Sequence, residues 1–147
     1  MAYWLLKTEP SVYSFQDLVR DRVTAWSGVA NPQAQANLRA MKEGDQAVVY
    51  HSGEKRAIGI AKVVRTAYPD PEATEGDLVC VDVKAMQPLP GPVPLEALKQ
   101  EPTFEGSALL RQGRLSVVPL SPAQWNDLMQ LSTVIAATGG LRRKKRF

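Results

Sequence analysis

Short apolar segments, each closed by a proline, a glycine or a charge cluster, limit what this chain can fold into. Tyr3 to Lys7 is apolar and aromatic and ends at Glu9-Pro10, where proline stops ladder pairing. Gln46 to Ser52, with Ala47-Val-Val-Tyr50 at its centre, reads as a buried strand. Gly53-Glu54-Lys55 is a turn, and Ala57 to Arg65 is the returning arm of a hairpin. Leu78 to Ala85 alternates, with Val79, Val81 and Val83 on one face and Cys80, Asp82 and Lys84 on the other, the pattern of a half-exposed antiparallel strand. Leu115 to Pro119 is a further short strand. Tyr68 to Gly76 and the proline-rich Pro88 to Pro94 read as loops.

Helix signals fall between these segments. Ser14 and Asp17 have the spacing of an N-cap and an acidic third position, which predicts a helix over 15–19 with Phe15, Leu18 and Val19 buried. Asn31-Pro32 is a cap followed by a first-turn proline. Ala34, Leu38 and Met41 then lie on one face, and Gly44 stands where a helix-ending glycine belongs, so a helix is expected over 32–43. Ser121-Pro122 opens another through Leu131, with Trp125, Leu128 and Met129 at helical spacing. Strands interrupted by short helices define an α+β domain built on a curved sheet or a barrel. The expected organisation is one domain over 1–131, followed by a flexible tail over 132–147.

Charge is unevenly placed. The formal net charge is +3, but Arg142, Arg143, Lys144, Lys145 and Arg146 supply five positive charges at the end of the chain; over 1–141, 13 Lys+Arg face 15 Asp+Glu, or −2. The basic cluster is either a solvated tail or a salt-sensitive attraction for a polyanion. Its removal is expected to flatten the salt dependence of any nucleic-acid binding. One cysteine and one histidine cannot build a Cys/His metal site, and no cluster of carboxylates suggests another; no metal and no cofactor is expected. No apolar run is long enough to span a membrane and no secretory signal is readable. The expected compartment is the cytoplasm and the expected state a monomer.

Catalytic signatures are missing: there is no P-loop, no dinucleotide fingerprint, and no readable partner for His51, which ends a strand in Tyr-His-Ser. Aromatic and amide side chains stand out instead. Trp4 lies in the first strand and Trp26 in a loop between helices, while Asn31 and Gln33 lie in the first turn of a helix. Base recognition uses a flat face for stacking and amides that donate and accept together. Each also has an ordinary structural role, the tryptophans as core and Asn31 as a cap.

Several motifs, in order, resemble the EVE domain family of the PUA-like superfamily. Trp4-Leu-Leu-Lys-Thr-Glu-Pro10 is similar to W-L-x-K-S-E-P. The segment from Trp26-Ser-Gly-Val-Ala-Asn-Pro-Gln to Arg39 is similar to W-x-G-V-R-N-Y-Q-A-R-N-x-x-R. Lys42-Glu-Gly-Asp45, Tyr50-His-Ser52, Ala67-Tyr-Pro-Asp-Pro71, Val81-Asp-Val-Lys84 and Leu110 to Val117 match further family segments. The resemblance implies a PUA-like fold, a small, mostly antiparallel curved sheet or β-barrel with flanking short helices. It also implies a non-catalytic pocket for a modified base in DNA or RNA.

Carried over by motif, Trp26 stacks on the base, with Val29 in the same segment, and Asn31 and Gln33 read its edge. Lys7 and Thr8 border the pocket, His51 and Ser52 close it, and Arg114, Leu115 and Ser116 form its far wall. Arg39 and the basic cluster at 142–146 meet the phosphate backbone, and Trp4 supports the core. Thr8 replaces the family's serine. Ala30, Pro32 and Gln35 replace an arginine, a tyrosine and an arginine, which removes cations and an aromatic from the expected contact surface. Two other readings compete: an enzyme acting on nucleic acid or nucleotides through His51, and a protein-interaction module with a relic pocket.

Overall fold

In the computed structural model, which describes residues 1–74 and 76–139, six strands form one mixed sheet flanked by short helices. The strands are β1 (Tyr3–Thr8), β2 (Val23–Trp26), β3 (Gln46–His51), β4 (Arg56–Pro69), β5 (Val79–Pro94) and β6 (Val117–Leu120). Their order is β2-β5-β4-β3-β1-β6, so the sheet is open, with β2 and β6 at its edges. The expected β3–β4 hairpin is present, and every pairing is antiparallel except β1 with β3. That parallel pair needs a crossover, which α1 (Phe15–Asp21), β2 and α2 (Pro32–Ala40) supply.

Local chemistry sets the helix starts. Ser14 and Asp17 close a reciprocal capping box on α1, and Asn31 Oδ1 accepts the Ala34 N–H at 2.9 Å at the start of α2. The ends differ from expectation. α1 runs two residues further, and Val19 is 51% exposed rather than buried. Only Phe15 and Leu18 face the sheet, and the Phe15 ring fills the space above Gly59, where a Cβ would lie 2.3 Å from Cζ. α2 stops at Ala40 because Met41 is extended (ψ 146°); Met41 nevertheless turns inward beside Ala34 and Leu38. Gly44 (φ +94°) therefore serves a turn beyond the helix, its N–H bonded to Val63 O at 2.8 Å, and is not the helix cap.

The proline-rich segment is not a loop. β5 continues through Pro94, with Pro88, Pro90 and Pro92 exposed while Leu89, Gly91 and Val93 are buried. Proline at every second position leaves one face apolar and keeps the strand extended. Pairing to β4 is interrupted between Pro88 and Val93, and Ser132 Oγ there bonds both the N–H (3.0 Å) and the carbonyl (2.7 Å) of Gly91. Tyr68 likewise belongs to β4, paired with Cys80, and not to a loop. Cys80 is fully buried, so its face is less open than its alternation suggests. β6 extends one residue past Pro119, which an edge strand tolerates.

Two short helices, α3 (Leu95–Lys99) and α4 (Ala108–Arg111), lead to α5 (Pro122–Thr138). The expected end at Leu131 and flexible tail from 132 do not hold over 132–138. Ser132 and Ile135 are buried, and a Cβ on Gly91 would come within 2.9 Å of the Ala136 backbone nitrogen. The stretch that looks like a tail is helical, with Ser132 and Ile135 turned toward Gly91 of β5. At its other end α5 stacks Trp125 on Tyr3, centroids 4.6 Å apart.

Trp4 is core, as expected. Its indole donates to Asp45 Oδ2 at 3.0 Å, and the same carboxylate accepts backbone N–H groups from Ala2 and Lys42. Burial pushes the Asp45 carboxyl up, but those three donors outweigh it and hold it below the usual carboxylate range.

Candidate functional site

A cavity of about 640 Å³ opens where the C-terminal end of β1 meets β2 and the loop leading to α2. That size falls within the ordinary span of small-ligand sites. Of the residues expected around a pocket, Lys7, Thr8, Trp26, Val29 and Ser116 line it. They come from four stretches of chain, which a few backbone and side-chain bonds hold together. The Lys7 N–H donates to Ser116 O at 2.9 Å, and Thr8 Oγ1 donates to Tyr13 O at 2.7 Å. Thr8 thereby fixes the turn carrying Val12 and Tyr13 against the cavity.

Trp26 is not in a loop. It ends β2, paired with Val81, and is 7% exposed, with Tyr13 edge-on to its ring at 6.3 Å. Its indole N–H makes no hydrogen bond to the described residues, so this large ring has a cavity beside it and an uncommitted donor. The Tyr13 hydroxyl donates to Asp21 Oδ2 at 2.9 Å, and burial is the main cause that pushes its phenol above the usual range.

Two buried polar groups shape the mouth. Asp70 Oδ2 accepts the Gly28 N–H at 2.9 Å and Oδ1 accepts the Glu72 N–H at 2.8 Å, so one carboxylate ties both loops that carry lining residues. Gln35 Nε2 donates to Val29 O (2.7 Å) and Val79 O (2.9 Å), while its Oε1 accepts the Val79 N–H at 2.9 Å. The glutamine that stands in place of an arginine is therefore a buried clamp on the Val29 loop rather than a surface contact. Ala30 lies on the cavity lip, where the arginine of the family pattern is missing.

Six expected pocket residues lie elsewhere. His51 is buried away from the cavity with both ring nitrogens engaged: Nε2 accepts the Phe15 N–H at 3.0 Å and Nδ1 faces Glu54 Oε1 at 3.0 Å. An Nε2 that accepts from a backbone amide is unprotonated, so Nδ1 carries the hydrogen in this arrangement. Ser52 faces a different depression. Asn31 caps α2, Gln33 is exposed beyond the mouth, Leu115 is core and Arg114 is exposed outside the lining. Arg39 is exposed on α2 with its guanidinium donating to the Asp77 carbonyl. The basic cluster 142–146 lies outside the described residues.

Sequence reasoning missed Val12, Tyr13, Thr24, Ala25, Ser27, Gly28, Ala30 and Glu72 in the lining. Val23-Thr-Ala-Trp26 carried a signal, a β-branched start and an aromatic end that read as a strand. Glu72 carried none, since only the Asp70 bonds bring its loop to the cavity.

Lys7 and Glu72 are the charged lining groups, one of each sign. Burial lowers the Lys7 ammonium from its usual range. No group of three or more His, Cys, Asp or Glu side chains among the described residues is arranged to hold a metal ion, and no described helix is long and apolar enough to cross a membrane.

The sequence matches the EVE domain family pattern over residues 2–131. Mouse thymocyte nuclear protein 1 is 34% identical over 164 residues, covering 88% of this chain and 73% of the relative. The NMR structure of a Rhodopseudomonas palustris protein superposes with a TM-score of 0.85 at 43% identity, covering 92% of this chain and 95% of the other. The crystal structure of human THYN1 in complex with 5-methylcytosine-containing DNA superposes with a TM-score of 0.76 at 31% identity, covering 90% and 98%.

Proposed function

The chain belongs to the EVE domain family, and from that membership we propose that it binds nucleic acid and receives a modified base, 5-methylcytosine or a close relative, in the cavity beside Trp26. The observation that carries this reading is the buried Trp26 ring, with an unbonded indole N–H, on the wall of a cavity in a fold shared with a DNA-bound relative. A base needs a flat apolar surface and a few polar groups around its edge. Trp26 supplies the surface. Ser27 and Ser116 supply hydroxyls that donate or accept, and Thr8 Oγ1, whose hydrogen goes to Tyr13 O, can still accept.

Glu72 adds a preference. A carboxylate accepts from an exocyclic amino group, the pairing by which acidic side chains read cytosine N4. An amino-bearing base therefore suits this cavity better than thymine or uracil. Val12, 78% exposed on the rim, gives an apolar contact for a methyl group or a neighbouring base.

The enzyme reading rested on His51, whose nitrogens are occupied by Phe15 and Glu54 away from the cavity. It gains no support. The interaction-module reading needed an emptied pocket, and the cavity retains its aromatic wall.

The decisive experiment is binding of the purified chain to oligonucleotides with and without 5-methylcytosine, as DNA and RNA, single- and double-stranded, beside Trp26→Ala. Selective binding lost in the variant is expected. Uniform binding that salt abolishes and Trp26→Ala leaves unchanged would overturn the reading.

A further inference from the structure

A second depression of about 300 Å³ lies on the other side of Lys7, between the end of β3, the Gly53–Lys55 turn and helices α3 and α4. Three lysines, Lys7, Lys55 and Lys99, line it, together with Tyr50, Ser52 and leucines of α3 and α4. Lys7 lines both cavities. Its Nζ donates to Gly113 O at 2.9 Å and sits 5.9 Å from the Tyr50 ring centroid, and both Gly113 and Tyr50 belong to the second site, so the charge is delivered there.

The charge balance is unusual for this chain, whose body is −2 over residues 1–141. Neither Lys7 nor Lys55 forms an ion pair with a described carboxylate. Lys99 has an exposed partner, Glu96, at 3.7 Å, a contact too solvated to neutralise the site. Lys55 is held in place by its own backbone: φ is +55°, and its carbonyl accepts the Leu95 N–H at 2.9 Å, which ties the turn to the start of α3. Three cations with one exposed carboxylate partner among them, and with Lys7 half-buried, leave an incomplete charge set.

We propose that this second depression takes a phosphate group, and that in nucleic acid this is a backbone phosphate of the strand whose base enters the first cavity. The second clause rests on the base-binding reading above; the first does not. Lys7 joins the sites, and the ammoniums of Lys55 and Lys99 act as point charges on the phosphate. The same chemistry fits a free phosphorylated molecule, which the test separates.

The test uses the full chain and the double variant Lys55→Gln/Lys99→Gln, neither residue of which lines the first cavity. Three probes are titrated: a 5-methylcytosine oligonucleotide at several salt concentrations, 5-methylcytidine, and inorganic phosphate followed by backbone amide NMR signals. The expected result is about tenfold weaker oligonucleotide binding by the variant at low salt. Its log–log salt slope should be shallower by roughly 0.7–0.9 per lost phosphate contact. Nucleoside binding should be unchanged, and phosphate should shift the Ser52, Lys55 and Gly113 amides of the unaltered chain alone.

If no oligonucleotide or nucleoside binds but phosphate still shifts those amides, the phosphate site stands and a free phosphorylated molecule is its source. In that case the base reading falls. If oligonucleotide binding and slope are the same in both chains, or neither phosphate nor oligonucleotide touches these residues, the proposal is overturned.

Discussion

Trp4 and Trp26 are nearly equal in exposure, 6% and 7%, yet they stand in opposite kinds of surroundings. Around Trp4 the indole meets Asp45 at 3.0 Å, and that carboxylate also collects the Ala2 and Lys42 amides. Around Trp26 the indole N–H is left over and a cavity adjoins the ring. Burial alone does not separate the two tryptophans. Completed hydrogen bonding does, because a buried donor without a partner is tolerated only where something else can satisfy it.

The comparison breaks most visibly at Asp45. Asp45→Ala strands three donors, and at about 1–3 kcal/mol each, partly relieved by water, the expected loss is roughly 4 kcal/mol. That corresponds to a drop in Tm of about 10 °C or more by calorimetry. A loss under about 1 kcal/mol would mean the Trp4 region is not the brace described. Next, Trp4→Phe should cost about 2 kcal/mol more stability than Trp26→Phe, since only the first removes a partner from a buried carboxylate. In binding the order reverses: Trp26→Phe should weaken oligonucleotide affinity several-fold and Trp4→Phe hardly at all.

Acid sharpens the same contrast. The folded-state Asp45 carboxyl is lowered, so its contribution is fully present above the unfolded value of about 4 and is lost as pH falls through the folded value. Thermal melts of the unaltered chain should fall more steeply below about pH 4 than those of Asp45→Asn, while Trp26→Phe should follow the unaltered chain. Asp70→Ala, which frees the Gly28 and Glu72 amides, should cost about 1 kcal/mol in denaturant melts. Its affinity should fall several-fold, because both mouth loops lose their tether. The smallest effect belongs to Glu72→Gln. Stability should stay within about 0.5 kcal/mol, while discrimination between cytosine and thymine oligonucleotides should narrow measurably. Unchanged discrimination would remove Glu72 from base reading.

Much of the scaffold was legible because its signals are local. Ser14 with Asp17, Asn31 with Pro32 and Ser121 with Pro122 each mark a helix start through bonds made within one turn. Helix ends were less legible. α5 persists to Thr138 because β5 receives it at Gly91, 41 residues away from Ser132. The proline run was misread for a similar reason: its lost donors matter less where the ladder is already interrupted and a helix hydroxyl serves Gly91. Of the cavity lining, Trp26, Thr8 and Lys7 stand in motifs that the sequence shows. Asn31 and His51 lie outside that lining, because the same polarity that suits a ligand suits a helix cap and a strand-to-helix tie.

By itself the sequence determined the α+β class, the strand cores through their alternation, the helix starts through their caps, and the family through motifs spread along the chain. The tertiary structure decided which polar side chains are already spent and which stretches share a cavity. Caps and alternation act over a few residues. A cavity forms only when Thr8, Trp26, Glu72 and Ser116 are brought to one place by strand pairing, and a donor is free only once every other partner has been assigned.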